Sequence, residues 1–428
     1  MITKKKYAII CFLGFISGFT LLFSGNSLNY WLSRENIDIR TIGLFSVITL
    51  PYAINFIWAP VFDLKTVPII GKYFNKRLAW IISLQIMLTI TLYAISKINP
   101  INNIYYFACL GIIISFFASA TDSVLGALRI EMVDRDLQGA VSGVYSLGYR
   151  LGMVISGYGG ISLSSDIGWN KVYQLYSIIT IIFSILLIFI TKNLKSTLII
   201  NNSNNELLIK TRSRRNLISR IKSLVMNILK PIGGVLLILL IIAFLILYRL
   251  PDHCIYVMIN PFLIHHGYSD HEIATGGKLL GSIMAIVGGL LAGHIMKKRD
   301  IFQGLLIFAI LHAAAHTLFI VQDIYGKNLY LLYVVIGFES ITGGMSMAAY
   351  IAYIAYLCQG RFRATQYSFF SSIMGLSRSV LPAISGYIVA HAGWKSFFFI
   401  TIIATIPSLL LLLFLKQHNK KRSSNLSD

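Results

Sequence analysis

Four charged residues lie deep inside apolar stretches of the sequence. Asp122, Arg150, Glu339 and Arg378 are each flanked on both sides by apolar runs. A charge at the centre of a membrane span costs about 2.5–3.5 kcal/mol on insertion scales, so such a residue faces a cavity, an ionic partner, or both. A carboxylate in a cavity of low dielectric constant takes up a proton readily. Asp122 and Glu339 are therefore candidates for coupling to a proton gradient.

The two arginines suit a different chemistry. A guanidinium group holds a carboxylate or phosphate through two parallel hydrogen bonds, so Arg150 and Arg378 are candidates for binding an anionic substrate. The alternative is that all four charges form structural ion pairs between helices. Four deep charges together favour function, because buried ion pairs are weak evidence for stability.

A second charged group comprises Arg249, Asp252 and Lys278. Arg249 and Asp252 are three residues apart around Pro251, which interrupts the hydrogen bonds of a helix. Because a broken helix that carries charges often lines a cavity, these residues are further candidates for substrate binding. The alternative is a salt bridge near the membrane surface.

Aromatic residues add a candidate surface for sugar rings, which bind to aromatic faces and amide groups. Tyr149 is the candidate of this type, although tyrosines also populate the belts at membrane interfaces. His312 and His316 have the spacing of a zinc helix, but no glutamate of an HExxH motif accompanies them. We therefore predict no metal and no cofactor. The sequence has no Walker A motif, so a gradient would supply the energy.

The elements that position these residues are predicted to be membrane spans. The 428 residues are 56% hydrophobic and 12% charged, with a mean hydropathy of +0.73. Such a chain has the bilayer as its solvent, and each span needs about 20 apolar residues. About twelve spans fit, near 7–29, 40–60, 79–97, 104–130, 139–161, 171–191, 232–256, 273–296, 301–322, 329–358, 364–390 and 395–415.

The formal net charge of +21 indicates orientation rather than nucleic-acid binding. Lys and Arg concentrate in the termini and in alternate loops, which places both termini in the cytoplasm of a bacterial inner membrane. The basic segment 192–230 is either a solvated linker or a helix on the anionic inner leaflet. We predict six-helix halves at 1–191 and 231–415, a cytoplasmic tail at 416–428, and a monomer.

A weak internal repeat relates the two halves. Arg150 precedes Ser156-Gly157-Tyr158, and Arg378 precedes Ser385-Gly386-Tyr387. Two parallel six-span halves predict an all-α integral membrane fold with substrate bound near the bilayer midplane between them. Glycines four residues apart also predict close helix packing, at Gly14 and Gly18, Gly139 and Gly143, Gly148 and Gly152, and Gly289 and Gly293.

Several spaced motifs run along the chain: Leu50-Pro51-Tyr52, Trp58-Ala59-Pro60, Leu147-Gly148-Tyr149-Arg150-Leu151-Gly152-Met153, Leu247-Tyr248-Arg249-Leu250, Gly343-Gly344-Met345 and Ala364-Thr365-Gln366-Tyr367. Together they resemble the AmpG-type muropeptide permeases of the major facilitator superfamily. The resemblance implies the major facilitator fold and proton-driven uptake of anhydromuropeptides, which are N-acetylglucosamine linked to 1,6-anhydro-N-acetylmuramic acid with or without a stem peptide. Stem carboxylates would then bind Arg150 and Arg378.

The chain departs from that family at one place. The family's fourth span carries two aspartates about four residues apart, whereas here Asp122 is followed by Gly126. The departure leaves other hypotheses open. One is a carrier of another anionic solute, such as a nucleotide or an acetyl-CoA-like molecule; another is a membrane receptor that binds without transport. A membrane-embedded enzyme has no supporting constellation of residues.

Overall fold

The computed structural model describes residues 4–58, 61–62, 65–68, 70–132, 138–192, 235–358 and 363–424, and every regular element within these ranges is helical. The helices form twelve passes, which we number as spans 1 to 12. Spans 1 to 6 are Lys4–Leu21 with Asn26–Arg34; Ile39–Leu44 with Phe45–Thr49, Leu50–Ala53 and Asn55–Ile57; Lys76–Ile95; Ile104–Glu131; Gln138–Ile167; and Trp169–Lys192. Spans 7 to 10 are Val235–His265; Asp270–Ile273 with Ala274–Leu280 and Gly281–Met296; Ile301–Tyr325; and Leu329–Leu357.

Spans 11 and 12 share one long helical stretch. Span 11 comprises Arg363–Ser379, Leu381–Ile384 and the start of Ser385–Ile403, and span 12 comprises the rest of that helix with Thr405–Ser424. Gly393 divides them, since its φ of 75° is a left-handed conformation that glycine adopts without a steric penalty. Helix thus continues nine residues past the predicted end of span 12 at 415. The predicted linker 192–230 lies outside the described residues, apart from Lys192.

The lengths of these helices fit a bilayer. Nine helical segments in the described ranges are long and apolar enough to cross a membrane, and one of them, Ser372–Asn419, covers two spans. Large apolar side chains such as Leu236 and Leu290 are each 71% exposed, which suits a surface in contact with lipid. The prediction of an all-α membrane protein with about twelve spans is confirmed.

Several spans lose regular α-helical geometry near their middle. Span 1 breaks between Leu21 and Asn26, span 2 runs as a 3₁₀ helix over Phe45–Thr49, and span 8 is a π-helix over Ala274–Leu280. Span 11 contains a 3₁₀ turn over Leu381–Ile384. Irregular backbone at membrane depth is tolerated where it is buried in protein or lines a cavity, and π-helical turns are frequent at functional sites.

Glycines bring spans 1 and 5 into direct backbone contact. A Cβ atom at Gly18 would lie 1.8 Å from the Tyr149 carbonyl oxygen, and one at Gly148 would lie 1.9 Å from that of Cys11. Gly14 and Gly152 make equivalent contacts, so the packing prediction is confirmed for these two pairs. It is wrong for Gly289 and Gly293, because no described atom lies within 4 Å of either Cβ position, and Gly143 of the remaining pair also meets open space among the described residues.

The two halves meet toward one end of the bundle. We call this the distal end, where Arg34 and Asp270 lie, and we call the end that carries residues 4 and 424 the terminal end. One buried apolar cluster fills the first half and continues into the distal parts of spans 7, 8, 10 and 12, while a second cluster is confined to the second half. Spans 5 and 8 make contact mainly through Asp270–Leu280. The halves are therefore packed together at the distal end.

Candidate functional site

A small polar cavity lies between the halves. The space in it that the centres of water-sized molecules can occupy is about 30 Å³. Its lining comes from spans 1, 2, 7 and 11: Leu21, Gly25, Asn26, Asn29, Ser46, Thr49, Tyr256, Val257 and Arg378. Amides, hydroxyls and one guanidinium group thus face a common space beside the breaks in spans 1 and 2, as in a site for a polar, anionic ligand.

Hydroxyl groups of span 2 hold span 11 beside this cavity. Ser46 Oγ donates a hydrogen bond to the Ser379 carbonyl oxygen at 3.0 Å, and Thr49 Oγ1 and Ser379 Oγ are 2.8 Å apart. The first helix of span 11 ends at Ser379, where carbonyl groups lose their intrahelical partners. The side chains from the other half therefore stabilise the position of Arg378, one residue before that end.

Arg378 lies over the ring of Tyr52, with its Cζ atom 5.8 Å from the ring centroid. Tyr52 belongs to span 2, so this cation–π contact joins the halves. Arg378 also interacts electrostatically with Asp122 of span 4, without an ion pair among the described contacts. The guanidinium group therefore stands near a carboxylate, an aromatic face and the cavity.

Asp122 is held by two hydroxyl donors of its own half. Ser17 of span 1 donates a hydrogen bond to Asp122 Oδ1, and Tyr145 of span 5 donates a second one at 3.3 Å. Arg129 lies 4.8 Å from the centroid of the Tyr145 ring. One helical turn after Asp122, Gly126 has no atom within 4 Å of the position of a Cβ, so a larger side chain has room there.

Arg150 faces the other half at a level where the halves have separated. It lies seven residues before Gly157 in span 5, hence on the same helical face two turns away. A Cβ atom at Gly157 would lie 2.9 Å from Leu22 Cδ1 of span 1 and 3.9 Å from Lys278 Cγ and Cδ of span 8. Arg150 itself is exposed. Tyr149, its neighbour, packs on Gly18 and interacts electrostatically with Asp122.

The remaining charges form a separate group inside the second half, which we call the Asp252 cluster: Arg249, Asp252, His312, Glu339 and Thr342. Arg249 and Asp252 form a buried ion pair. His312 Nε2 lies 3.2 Å from Asp252 Oδ1, and His312 Nδ1 lies 3.0 Å from Thr342 Oγ1. One polar atom from each of Asp252, His312 and Glu339 falls within 4.8 Å of the others. The guanidinium group already paired with Asp252 makes this a poor site for a cation.

Lys278 connects the Asp252 cluster to the interface between the halves. It lies on the π-helix of span 8, and its Nζ donates a hydrogen bond to Asn260 Oδ1 at 3.3 Å. It interacts electrostatically with Glu339, while its aliphatic stem passes Gly157 of the first half. A change of charge at Glu339 would therefore act on a residue that touches both halves.

The structure sorts the predicted site residues into two places. Asp122, Tyr149 and Arg378 lie around the middle of the interface, with Arg150 on the open side of it. Glu339, Arg249, Asp252 and Lys278 lie in or beside the Asp252 cluster. Sequence reasoning considered His312 only as a metal ligand, which it rejected, and missed its role in this cluster. It named Tyr52 only within a family motif, and it missed Thr342 and Asn260 altogether.

Comparisons with known proteins agree with this architecture. A family model described as Major Facilitator Superfamily matches residues 10–338 and 301–428. A Rickettsia bellii protein named as transporter AmpG 1 is 51% identical over 413 residues, which cover 96% of this chain and 98% of the relative. The anhydromuropeptide permease of Escherichia coli K12 is 30% identical over 416 residues, which cover 97% of this chain and 80% of the permease.

Solved structures support the same fold. A D-xylose–proton symporter superposes with a TM-score of 0.66 at 14% identity, covering 96% of both chains. A bacterial homologue of the human lysosomal transporter Spinster, inward-facing and occupied, gives a TM-score of 0.65 at 15% identity, again covering 96% of both. The predicted major facilitator fold is confirmed, and with it the prediction of a transporter rather than an enzyme.

Proposed function

We propose that this chain, which belongs to the major facilitator superfamily and within it to the AmpG-type permeases, imports anhydromuropeptides together with protons. The observation that carries the proposal is the likeness to the Escherichia coli anhydromuropeptide permease along almost the whole chain. In this proposal the protein lies in the bacterial inner membrane with its termini in the cytoplasm. The distal end then faces the periplasm.

The cavity offers the groups that such a substrate needs. Amides of Asn26 and Asn29 and hydroxyls of Ser46 and Thr49 suit the hydroxyl and acetamido groups of two sugars. Arg378 would bind a stem-peptide carboxylate bidentately. Arg150, exposed between the halves, would contact the part of the substrate nearer the cytoplasm. At about 30 Å³ the cavity is far smaller than a disaccharide peptide requires, so the substrate would also occupy the interface around Arg150.

Asp122 would carry the coupled proton. It stands between span 1, which lines the cavity, and Arg378 of the opposite half. Neutralising this carboxylate removes its electrostatic attraction for Arg378, so that the carboxylate no longer competes with an anionic substrate for the guanidinium group. Proton and substrate would thus favour the same state, as symport requires. Rocking of the halves would then expose the site to either side in turn.

Uptake into proteoliposomes tests the proposal. The purified chain is reconstituted, and labelled anhydromuropeptide is supplied with and without an inwardly directed proton gradient. We expect accumulation that depends on the gradient and a loss of that dependence in Asp122→Asn, while substrate exchange without a gradient continues. Accumulation of the muropeptide to the same extent with and without the proton gradient contradicts symport. Binding without flux supports a receptor instead, and uptake of nucleotides in preference to muropeptides supports another anionic cargo.

A further inference from the structure

His312 is a buried histidine with a hydrogen-bond partner on each ring nitrogen, and the mechanism above does not use it. It lies on span 9, and 8% of its side chain is exposed. Its Nε2 atom is 3.2 Å from Asp252 Oδ1 of span 7, and its Nδ1 atom is 3.0 Å from Thr342 Oγ1 of span 10. The ring therefore links three spans of the second half.

Donor and acceptor chemistry fixes one of these bonds. Arg249 is always charged and is paired with Asp252, so the carboxylate is ionised and accepts only. Nε2 of His312 must then carry a hydrogen and donate it to Asp252. Any variation in the proton content of the ring is confined to Nδ1, the nitrogen that faces Thr342.

The Thr342 hydroxyl can serve Nδ1 in either of two ways. It can donate its hydrogen to the Phe338 carbonyl oxygen at 2.9 Å, and then it accepts from a protonated Nδ1, which makes His312 a cation. It can instead rotate and donate to an unprotonated Nδ1, which leaves His312 neutral. Phe338 lies inside the helix of span 10, so its carbonyl oxygen keeps its position in the helix whether or not the Thr342 hydroxyl donates to it. One proton is gained or lost while every heavy atom stays in place and no nitrogen of the ring is left unpaired.

We propose that His312 is a second proton-binding residue of the transport cycle, which gains and releases one proton at Nδ1. The inference rests on the proposed function for its place in transport, although the binding of the proton can be measured without it. The proton comes from water on one side and returns to water on the other. The Thr342 hydroxyl rotates at each step, and no covalent bond other than the N–H bond changes.

The charges around His312 allow both states. Asp252 and Glu339 formally balance Arg249 and Lys278, so the added proton does not enter a group that is already positive. Two further histidines lie nearby. His253 is beside Asp252, and the ring centroid of His316 is 4.7 Å from that of His312. Facing groups come from spans 7, 8, 9 and 10: Arg249, Asp252, His253, Lys278, His316 and Glu339.

A short chain of contacts leads from His312 to the interface between the halves. His312 interacts electrostatically with Glu339, and Glu339 interacts with Lys278. The stem of Lys278 passes Gly157 of span 5, with its Cγ and Cδ atoms 3.9 Å from the Cβ position there. A proton on His312 attracts Glu339 and so changes the electrostatic environment of Lys278, which lies beside the interface between the halves.

Nitrogen NMR of the full chain in lipid nanodiscs tests the binding of the proton. The nine histidines are labelled with ¹⁵N, and the spectrum of His312→Gln identifies the His312 signals by difference. We expect His312 to be doubly protonated at the acidic end of a pH series and singly protonated at the basic end, with the hydrogen on Nε2 present in both forms. Signals that stay in one form throughout, or a hydrogen retained on Nδ1, overturn the proposal.

Variants of the threonine keep the test decisive if His312→Gln does not fold. Thr342→Val removes the acceptor for a charged N–H donor, so we expect about a tenfold lower ratio of charged to neutral His312 at fixed pH. Thr342→Ser should restore the ratio. Thr401→Val is the matched control, because Thr401 Oγ1 makes the equivalent contact with His316 at 3.3 Å. An equal effect of both valine variants contradicts the role of the Thr342 hydroxyl.

Uptake measurements then test the place of His312 in the cycle. The pH profile of gradient-driven uptake should shift in Thr342→Val and stay unchanged in Thr401→Val. If His312 titrates but the profiles coincide, the histidine has no part in transport, and the proposed function is untouched. If no muropeptide is carried at all, the proposed function fails while the NMR result still decides whether His312 binds the proton.

Discussion

The contact that holds the distal end closed centres on Asp270, and removing its charge should open that end. Asp270 at the start of span 8 forms an ion pair with Arg34 at the end of span 1 and accepts a hydrogen bond from the Tyr30 hydroxyl. Arg34 also donates to the Tyr268 carbonyl oxygen at 3.1 Å. These bonds join the first half to the second, so they stabilise only the state in which the distal end is closed. We therefore expect Asp270→Asn to shift the conformational equilibrium toward the open state.

The size of the shift follows from the burial of the pair. The side chains of Arg34 and Asp270 are 30% and 17% exposed, between a surface pair and a buried one. Hydrogen bonds to charged groups contribute about 1.5–3 kcal/mol when buried, and exposed ion pairs about 0.2–1 kcal/mol. An intermediate loss of about 1–2 kcal/mol changes the ratio of the two states roughly 5- to 30-fold.

Distance measurements between spin labels detect this change. Tyr105 at the start of span 4 and Tyr330 at the start of span 10 are 87% and 85% exposed at the distal end, one in each half. Both are replaced by cysteine and labelled in a chain whose four native cysteines are replaced by serine. We expect a longer distance to gain population in Asp270→Asn at the expense of a shorter one.

The control is an ion pair of similar length within a single half. Glu131 accepts from Arg77 at 2.7 Å near the terminal end of span 4, and both residues belong to the first half. Glu131→Gln should leave the distance distribution unchanged. An unchanged distribution in Asp270→Asn, or an equal shift in both variants, would refute the view that contacts between the halves at Asp270 hold the distal end closed.

Three further predictions concern single positions in spans 4 and 5. Gly148→Ala places a Cβ atom 1.9 Å from a backbone oxygen of span 1, so we expect a loss of several kcal/mol and little folded protein in size-exclusion chromatography; Gly143→Ala, which meets open space, should be recovered normally. Gly126→Asp should fold as well as the native chain and alter the proton dependence of uptake, since no atom lies within 4 Å of its Cβ position. In Arg150→Cys, alkylation by a water-soluble maleimide should slow when Asp270→Asn is added, because opening the distal end closes the interface around residue 150.

The fold follows from the sequence because hydropathy along the chain determines it. Each pass must satisfy its own backbone hydrogen bonds in lipid, so a run of apolar residues is sufficient to identify a helix. The interior charges were identified on the same physical grounds, and Arg249 and Asp252 pair at the spacing of three residues that the sequence displays. Local spacing thus predicted contacts within a span.

Contacts between spans could be identified only from the structure, because they depend on how each helix is rotated about its axis. Gly148 and Gly289 begin motifs of the same spacing, yet one packs on a neighbouring backbone and the other faces open space. His312 lies 60 residues from Asp252 and 30 from Thr342. The four-residue spacing of His312 and His316 was considered and rejected as a metal site, while the partners that define the chemistry of His312 lie on other helices.

The internal repeat shows how equivalent positions came to have different environments. Gly157 of span 5 faces span 8, and Gly386 of span 11 faces span 2, where its Cβ position is 2.2 Å from the Ile39 carbonyl oxygen. We call these two regions of contact between the halves seams, one between spans 5 and 8 and one between spans 2 and 11. They are related as the repeat predicts. The seam of spans 2 and 11 stays closed past Arg378, because Gly375 still packs on Ala53. The seam of spans 5 and 8 parts earlier and leaves Arg150 exposed. The equivalent arginines of the repeat thus differ in environment, since Arg378 lies beside a packed seam and Arg150 is exposed.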